Sequence, residues 1–321
     1  MSSRDYARGS NSNLSLGGSA PAYPVTDLVA DLVAHGAAFA RPLEVDGKVH
    51  RCATVTRPRK KNFSYLLYPD GCGGWYENHE TGEGPQRLYL APGRKAEATT
   101  DQRAQWATQR SERAAMARKA RVEARARARA ICSQAHPALP DHPYLEKKQI
   151  KPYELLQRGV ELVAPIVSVE GDVQTIERIS PRGEKKFLPG GAVAGNFYAL
   201  GEVWTGRRLL ICEGVATAHT LFESTGLPTV AAMFAGNLEP VTRVISKMDR
   251  QCKILICADD DWKTKGNPGL TAATKAASVV DGRVVIPDFI DLKRGDKDTD
   301  FNDLQLLTGL HEVRRQIIWA L

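Results

Sequence analysis

The chain has 321 residues, 42% hydrophobic and 25% charged, with a formal net charge of +7. That length accommodates two or three domains with ordinary cores, the composition excludes a disordered or collagen-like chain, and the positive balance favours an anionic partner. No apolar run is long enough to span a bilayer, and the six cysteines lack the spacing of a disulfide framework or a zinc ribbon.

Residues 1–23, rich in Ser, Gly and Asn, lack the apolar stretch of a signal peptide and read as a flexible tail. Together with reduced thiols this predicts a cytoplasmic protein with no membrane contact. Thr26 or Asp27 is placed to cap a short helix in which Leu28, Val29, Leu32 and Val33 recur at helical spacing, with Gly36 closing it. LEVDGKVHRCATV holds two β-rich runs around Asp46-Gly47, a two-residue hairpin signal. FSYLLY, the turn residues Pro69, Asp70 and Gly71, and GGWYEN follow, so 24–92 reads as a small α+β module. Arg57, Arg59, Lys60 and Lys61 stand beside Phe63, Tyr65 and Tyr68, with Trp75 and Tyr76 on the next strand. Cations next to aromatic rings suit single-stranded nucleic acid, while the core of a small module accounts for the aromatics equally well. His50, Cys52, Cys72 and His79 carry zinc-ligand atoms at a spacing that matches no zinc module.

Residues 100–134 contain no Gly or Pro and are dominated by Ala and Arg, which favour helix. Between Asp101 and Ala130, nine Lys or Arg oppose three acids, so most of the net charge is local. The arginines, Arg121, Arg125 and Arg129 among them, run around much of the circumference. A solvated connector, a partner-binding helix and a nonspecific nucleic-acid-binding rod all fit, the last being preferred. HPALPDHPY ends the helix. Over 137–205 the pattern is hairpins: VELVAPIVSV, a turn at Glu170-Gly171-Asp172, VQTIERI, a turn at Pro181-Arg182-Gly183, then KKFLPGG. Over 206–321, RLLIC, PTVAAM, KILICA and RVVIP alternate with amphipathic helices, which predicts a parallel sheet covered on both faces.

Acids stand at the carboxyl ends of these strands, where open parallel sheets bind ligands. Glu213-Gly214 follows RLLIC, Asp259-Asp260-Asp261 follows KILICA, and TDFNDL follows the region of RVVIP. On an extended segment Asp259 and Asp261 face the same side, so both can address one hard divalent cation, which takes oxygen ligands. One such acid is by default a solvated turn residue. Three groups at successive strand ends point to a metal site.

The order ICEG, FAGNL, ICADDD, NPGLTAATKAA, TDFNDL resembles a Toprim domain, the metal-binding module of bacterial replicative primases and of type I and II topoisomerases. The fuller pattern is most similar to primases of plasmids, phages and integrative elements. The similarity runs upstream through HPYLEKKQI and PIVSVEGDVQTIERISPRGEKKFLPGG and covers roughly 137–321. It implies an α+β N-terminal module, a long basic helix, a β-rich primase subdomain and an α/β Toprim domain with a parallel sheet. It also implies that Glu213, Asp259 and Asp261 are the catalytic, metal-binding acids, while Asp300, Asn302 and Asp303 match a later acidic motif, with Asp300 and Asp303 as further metal ligands. Arg178, Lys185 and Lys186 would neutralise nucleotide or template phosphates, with Gly190 and Gly191 permitting close backbone approach. Arg207 and Arg208 are further candidates of that kind.

The implied activity is primer synthesis on single-stranded DNA from nucleoside triphosphates, with magnesium or manganese. No GxxxxGK[ST] phosphate loop is present, so a separate replicative helicase is the expected partner. Bacterial replicative primases usually begin with a zinc ribbon, and none is legible here, which puts template recognition by such a module in doubt. A Toprim-family nuclease and a non-catalytic replication or DNA-binding protein are the rivals. A topoisomerase would need a domain carrying a strand-cleaving tyrosine.

Overall fold

A computed structural model describes residues 25–68, 73–81, 84–89, 100–203, 208–249 and 251–321. The expected tail, the turn at 69–71, Cys72 and Arg207 lie outside them. The chain forms two compact units, Met1–Ala98 and Thr99–Leu321. Among the described residues no helix is long and apolar enough to cross a membrane.

In the first unit, helix α1 (Val25–Ala34) precedes strands β1 (Ala37–Ala38), β2 (His50–Thr54), β3 (Phe63–Leu67), β4 (Gly73–Asn78) and β5 (Gln86–Tyr89). They form one antiparallel sheet in sequence order. Leu28 and Leu32 of α1 are buried with Phe63, Tyr65 and Leu67, as their helical spacing requires. Two expectations need correction. The helix already starts at Val25, so Thr26 and Asp27 lie in its first turn, and their side chains are outside the described residues. Asp46-Gly47 joins no hairpin: β2 pairs with β1 on one edge and β3 on the other, so the LEV run has no edge to join. Instead the Gly47 N–H donates to the Leu67 carbonyl, 2.9 Å away, and the Asp46 carboxylate accepts from the Lys48 N–H at 2.9 Å.

The second unit opens with α2 (Thr100–Gln134), followed by β6 (His136–Pro137), α3 (Pro143–Lys148), β7 (Leu156–Arg158), β8 (Glu161–Val167), β9 (Val173–Ile179) and β10 (Lys185–Phe187). These strands make an antiparallel sheet of order β10-β9-β8-β7-β6. The C-terminal half of α2 packs on it: Ala124 and Ala128, one turn apart, are fully buried, and Ala128 shares a cluster with Val163 and Ile176.

A third sheet has the order β11-β13-β12-β14-β15, built from β11 (Tyr198–Leu200), β12 (Arg208–Cys212), β13 (Thr229–Ala231), β14 (Lys253–Cys257) and β15 (Arg283–Val285). Four strands run parallel, and β11 is an antiparallel edge. Strand β11 lies in the 137–205 segment, so the sheet recruits a strand from before the alternation visible in the sequence. Helices α4 (Val215–Thr225), α5 (Leu238–Met248), α6 (Pro268–Ser278), α7 (Phe301–Thr308) and α8 (Leu310–Ala320) cover it. Alternation divides the core. Leu209, Ile211, Ile254 and Ile256 pack with α5 and α6, whereas Leu210, Cys212, Leu255 and Cys257 pack with α4, α7 and α8 and also with Leu162, Ala164 and Ile166 of β8. The 137–205 and 206–321 segments therefore share one core.

Candidate active site

From β12 the chain passes through α4 to β13 on one side, then through α5 to β14 on the other side of β12. The β12–β14 boundary is thus a topological switch point, where the diverging connections leave a crevice beyond the carboxyl ends. Cys212 and Cys257 are register partners at that end. Glu213 directly follows one strand, and Asp259 stands two residues beyond the end of the other.

Glu213 is held by its backbone: its carbonyl accepts from the Met233 N–H at 2.7 Å, and its carboxylate accepts from the Ala235 N–H. Burial, then the charge of Asp261, push its carboxyl up to about 7 against the opposing pull of Lys185. Asp259 is raised well above the usual carboxylate range by burial and then by Asp300, Glu213, Asp261 and Asp303. Its Oδ1 is buried with no hydrogen-bond partner. Asp300 is raised by burial and by Asp303, against the pull of Lys148.

Between the two alternating acids, Asp260 is fully engaged. Its Oδ2 meets Arg294 Nη1 at 2.7 Å and its Oδ1 accepts from Asn267 Nδ2 at 2.6 Å. Asp261 Oδ2 accepts from the Gly269 N–H at 2.9 Å. The fit there is tight: a Cβ on Gly269 would lie 2.6 Å from the Asp259 carbonyl oxygen. Asp300 caps α7 and accepts from Thr217 Oγ1 at 3.0 Å. Asp303 completes the capping box and lies 3.5 Å from Lys148 Nζ. Both acids therefore have local structural roles. Asn302 is buried and donates to the Lys148 carbonyl at 2.8 Å.

The three basic candidates from the hairpin separate. Lys185 faces the acids: the charges of Tyr144, Glu177, Asp300 and Glu213 raise its pKa against the cost of burying the ammonium, and its Nζ comes within 3.9 Å of the position of a Cβ on Gly214. Lys186 and Arg178 are register partners, and by strand alternation they point the other way. Arg178 pairs with Glu161 at 3.3 Å and Lys186 with Glu184 at 3.6 Å. A Cβ on Gly191 would lie 1.9 Å from Thr175 Oγ1, so that backbone presses on β9. Gly190 turns at φ +80 beside α2, and Arg208 is exposed at the start of β12.

Sequence reasoning missed two groups here. Glu177 is buried with its carboxyl raised to about 6, by burial against the pull of Lys185. Tyr144 is buried with its hydroxyl unpartnered. The legible signal was Glu177 itself, a charge at an inward position between Thr175 and Ile179.

Elsewhere, Arg125 and Arg129 both reach Asp172, at 2.8 and 2.7 Å, and Arg121 is exposed. In the first unit, Phe63 and Tyr65 are buried and Tyr76 stacks on Phe63 and His35, so these rings serve the core. Arg59, Lys60 and Lys61 line a cleft of about 530 Å³ with Arg41 and Arg51. His50 contacts Asp46 at 2.7 Å and His79 contacts Ser64 at 2.7 Å. Among the described residues, Glu44, Asp46 and His50 are the one trio whose ligand atoms all lie within 4.8 Å of one another. The acids at the β12–β14 end stand further apart.

Residues 208–310 match the Toprim domain family. The chain is 30% identical over 264 residues to DNA primase TraC of Escherichia coli, an alignment covering 76% of this chain and 24% of that protein. It thus spans about a quarter of the length of this relative. The DnaG primase catalytic domain bound to ssDNA has a TM-score of 0.44 at 14% identity, covering 64% of this chain and 80% of that one. The primase fragment of the bacteriophage T7 primase-helicase protein has a TM-score of 0.42 at 18% identity, covering 54% and 73%. The acids at the switch point thus belong to a Toprim domain, in a chain similar over three quarters of its length to a DNA primase.

Proposed function

We propose that this chain is a DNA primase. It builds short primers on single-stranded DNA by metal-dependent nucleotidyl transfer from nucleoside triphosphates, for replication of a plasmid, phage or other mobile element. A separate helicase opens the duplex. The observation that carries this reading is the set of unneutralised acids at the β12–β14 switch point with the Lys185 ammonium facing them. Similarity to TraC supports the same reading.

Toprim domains bind divalent metals, and the donor set fits one. The burial and mutual repulsion that raise Glu213 and Asp259, and the unpartnered Asp259 Oδ1, are relieved by a cation. Glu213, Asp259 and Asp261 would hold it, with Asp300 and Asp303 beside them. Magnesium or manganese, when bound, stabilises the charge that develops on the transferring phosphate. Lys185 stays protonated at neutral pH and offsets phosphate charge from the opposite wall. Asp260 and Arg294 hold the acid loop rigid by their ion pair. No side chain acts as a covalent nucleophile.

The test incubates the purified chain with single-stranded DNA, magnesium and labelled nucleotides. New template-dependent oligonucleotides, with the template intact, are expected. Degradation of several different templates without synthesis would overturn the reading in favour of a nuclease.

A further inference from the structure

Of the chain's eight phenylalanines, two are exposed, Phe187 at 37% and Phe234 at 40%. These two meet each other, edge to face, with ring centroids 6.4 Å apart. One comes from the antiparallel sheet and the other from the loop after β13, and each adjoins a charged group of the acid site. Phe187 lies two residues beyond Lys185 on β10, so both project from the same strand face. Phe234 stands between Met233, whose N–H holds the Glu213 carbonyl, and Ala235, whose N–H holds the Glu213 carboxylate. Met233 adopts φ +76, a left-handed conformation that side chains other than Gly, Asn and Asp rarely take. Such strain persists where surrounding structure enforces it and clusters at ligand-binding positions. Here it accompanies the turn that carries the chain from β13 to Phe234.

We infer that Phe187 and Phe234 form a stacking platform for a nucleobase whose phosphates lie at the acids and Lys185. This rests on the nucleotidyl-transfer reading of that site. Two residues of extended strand span about 6.6 Å, which suits the reach from a nucleotide's phosphates to its base. An aromatic platform accepts all four bases, because every base presents a π-face. A site that copies arbitrary sequence needs that tolerance. Aliphatic side chains would fill the same gap between the sheets without providing it.

The test uses leucine, which keeps apolar packing and removes the π-face. Wild type, Phe187→Leu, Phe234→Leu, the double variant and a Phe187→Trp variant are compared with magnesium present. The probes are 2-aminopurine riboside triphosphate, whose fluorescence falls on stacking, and inorganic triphosphate, which has no base. The double Leu variant should bind the 2-aminopurine nucleotide about tenfold or more weakly and lose the quench. Its affinity for inorganic triphosphate should match wild type, and the Trp variant should retain the quench. The same fluorophore placed in a single-stranded oligonucleotide separates the two sources of the base, an incoming nucleotide or the DNA strand. Wild-type affinity and quench in the double Leu variant, for nucleotide and strand alike, would make the rings packing residues and overturn the platform. So would an absence of quench in wild type with both probes. Base-dependent quench in a protein that synthesises nothing on any template would leave the platform standing and remove the primase reading.

Discussion

Two charged regions of the Thr99–Leu321 unit are organised in opposite ways. On α2, Arg125 and Arg129 grip the single carboxylate of Asp172, and Arg127 donates to the Pro189 carbonyl at 3.0 Å. These three arginines have partners, and they hold this end of the helix on the β8–β9 sheet. At the carboxyl end of β12 and β14, like charges are pressed together under partial burial until Glu213, Asp259 and Asp300 resist ionisation. Paired charge there belongs to Asp260, which faces away into Arg294, and to Asp303, which meets Lys148. Charge held without a partner at a structural cost marks a place where a ligand supplies the partner. Charge with its partner in reach marks architecture.

The largest effect follows from breaking the unpaired set. Asp259→Ala, Asp261→Ala and Glu213→Ala should each reduce primer synthesis at least about a thousandfold, as expected when charge stabilisation at the reacting phosphate is lost. Melting temperature without metal should hold or rise, because repulsion is removed. Full activity in the Asp259 variant, with synthesis and melting measured together, would sink the metal assignment.

Burial, together with that repulsion, sets a pH dependence. The Glu213 carboxyl moves from the ordinary 4.5 to about 7 in the folded chain, so the folded state holds a proton that the unfolded state releases. Its contribution to metal-free stability is complete below about 4.5 and is lost as pH rises through about 7. Buried His219, lowered to about 4 by burial, works in the other direction. Its contribution is present above about 6.5 and is lost as pH falls through about 4. The informative measurement is therefore the difference in melting temperature between wild type and Glu213→Gln in chelator. The variant should gain on wild type between pH 5 and 8, and magnesium should close the gap. A flat difference curve would mean that Glu213 ionises freely.

Adjacent lysines sharpen the comparison further. Lys185 faces the acids and Lys186 pairs with Glu184 on the opposite strand face. Lys185→Ala should raise the nucleotide KM by about ten- to a hundredfold, the scale of one lost charge-assisted contact to phosphate. Lys186→Ala should change it less than about twofold, since an exposed ion pair contributes little. Equal effects in steady-state kinetics would mean that the two faces of β10 are not distinguished in solution.

Much of the 206–321 architecture was visible because its strands are continuous apolar runs and its helices amphipathic, each signal contained within its own segment. The alternation of Asp259 and Asp261 around Asp260 was readable for the same reason. What failed depended on distant partners. Asp46-Gly47 carries the local chemistry of a hairpin, yet both edges of β2 were already occupied by strands outside that segment. Lys185, Lys186 and Arg178 look equivalent in sequence, because nothing local states which face of β10 and β9 meets the acids. Strand β11 has three residues, too few for a period to show. Tyr144 and Glu177 join the site only when α3 and β9 are brought against α4 and α7. The aromatics of the first unit left both readings open, and burial resolves Phe63 and Tyr65 to the core.

The smallest effect lies on α2, where the arginines proposed to bind nucleic acid divide into paired and unpaired. Arg125→Gln with Arg129→Gln removes two partly exposed ion pairs, worth about 0.2–1 kcal/mol each. For a domain of this size that lowers the melting temperature by about 1–8 °C. Gln keeps the helix propensity, so the change reports the pairs to Asp172. Asp172→Asn should lower it similarly, and the triple variant should lose no more than either parent, because both arginines act through that one carboxylate. On single-stranded DNA, Arg121→Gln should flatten the dependence of log affinity on log salt by about 0.7 if α2 contacts phosphate. The Arg125/Arg129 pair should flatten it less than two such contacts would, since each arginine must leave Asp172 to reach a phosphate. Salt titrations of wild type and these two variants decide this. A full loss of slope from Arg125 and Arg129 would move them from the paired, architectural side of the comparison to the side held for a ligand.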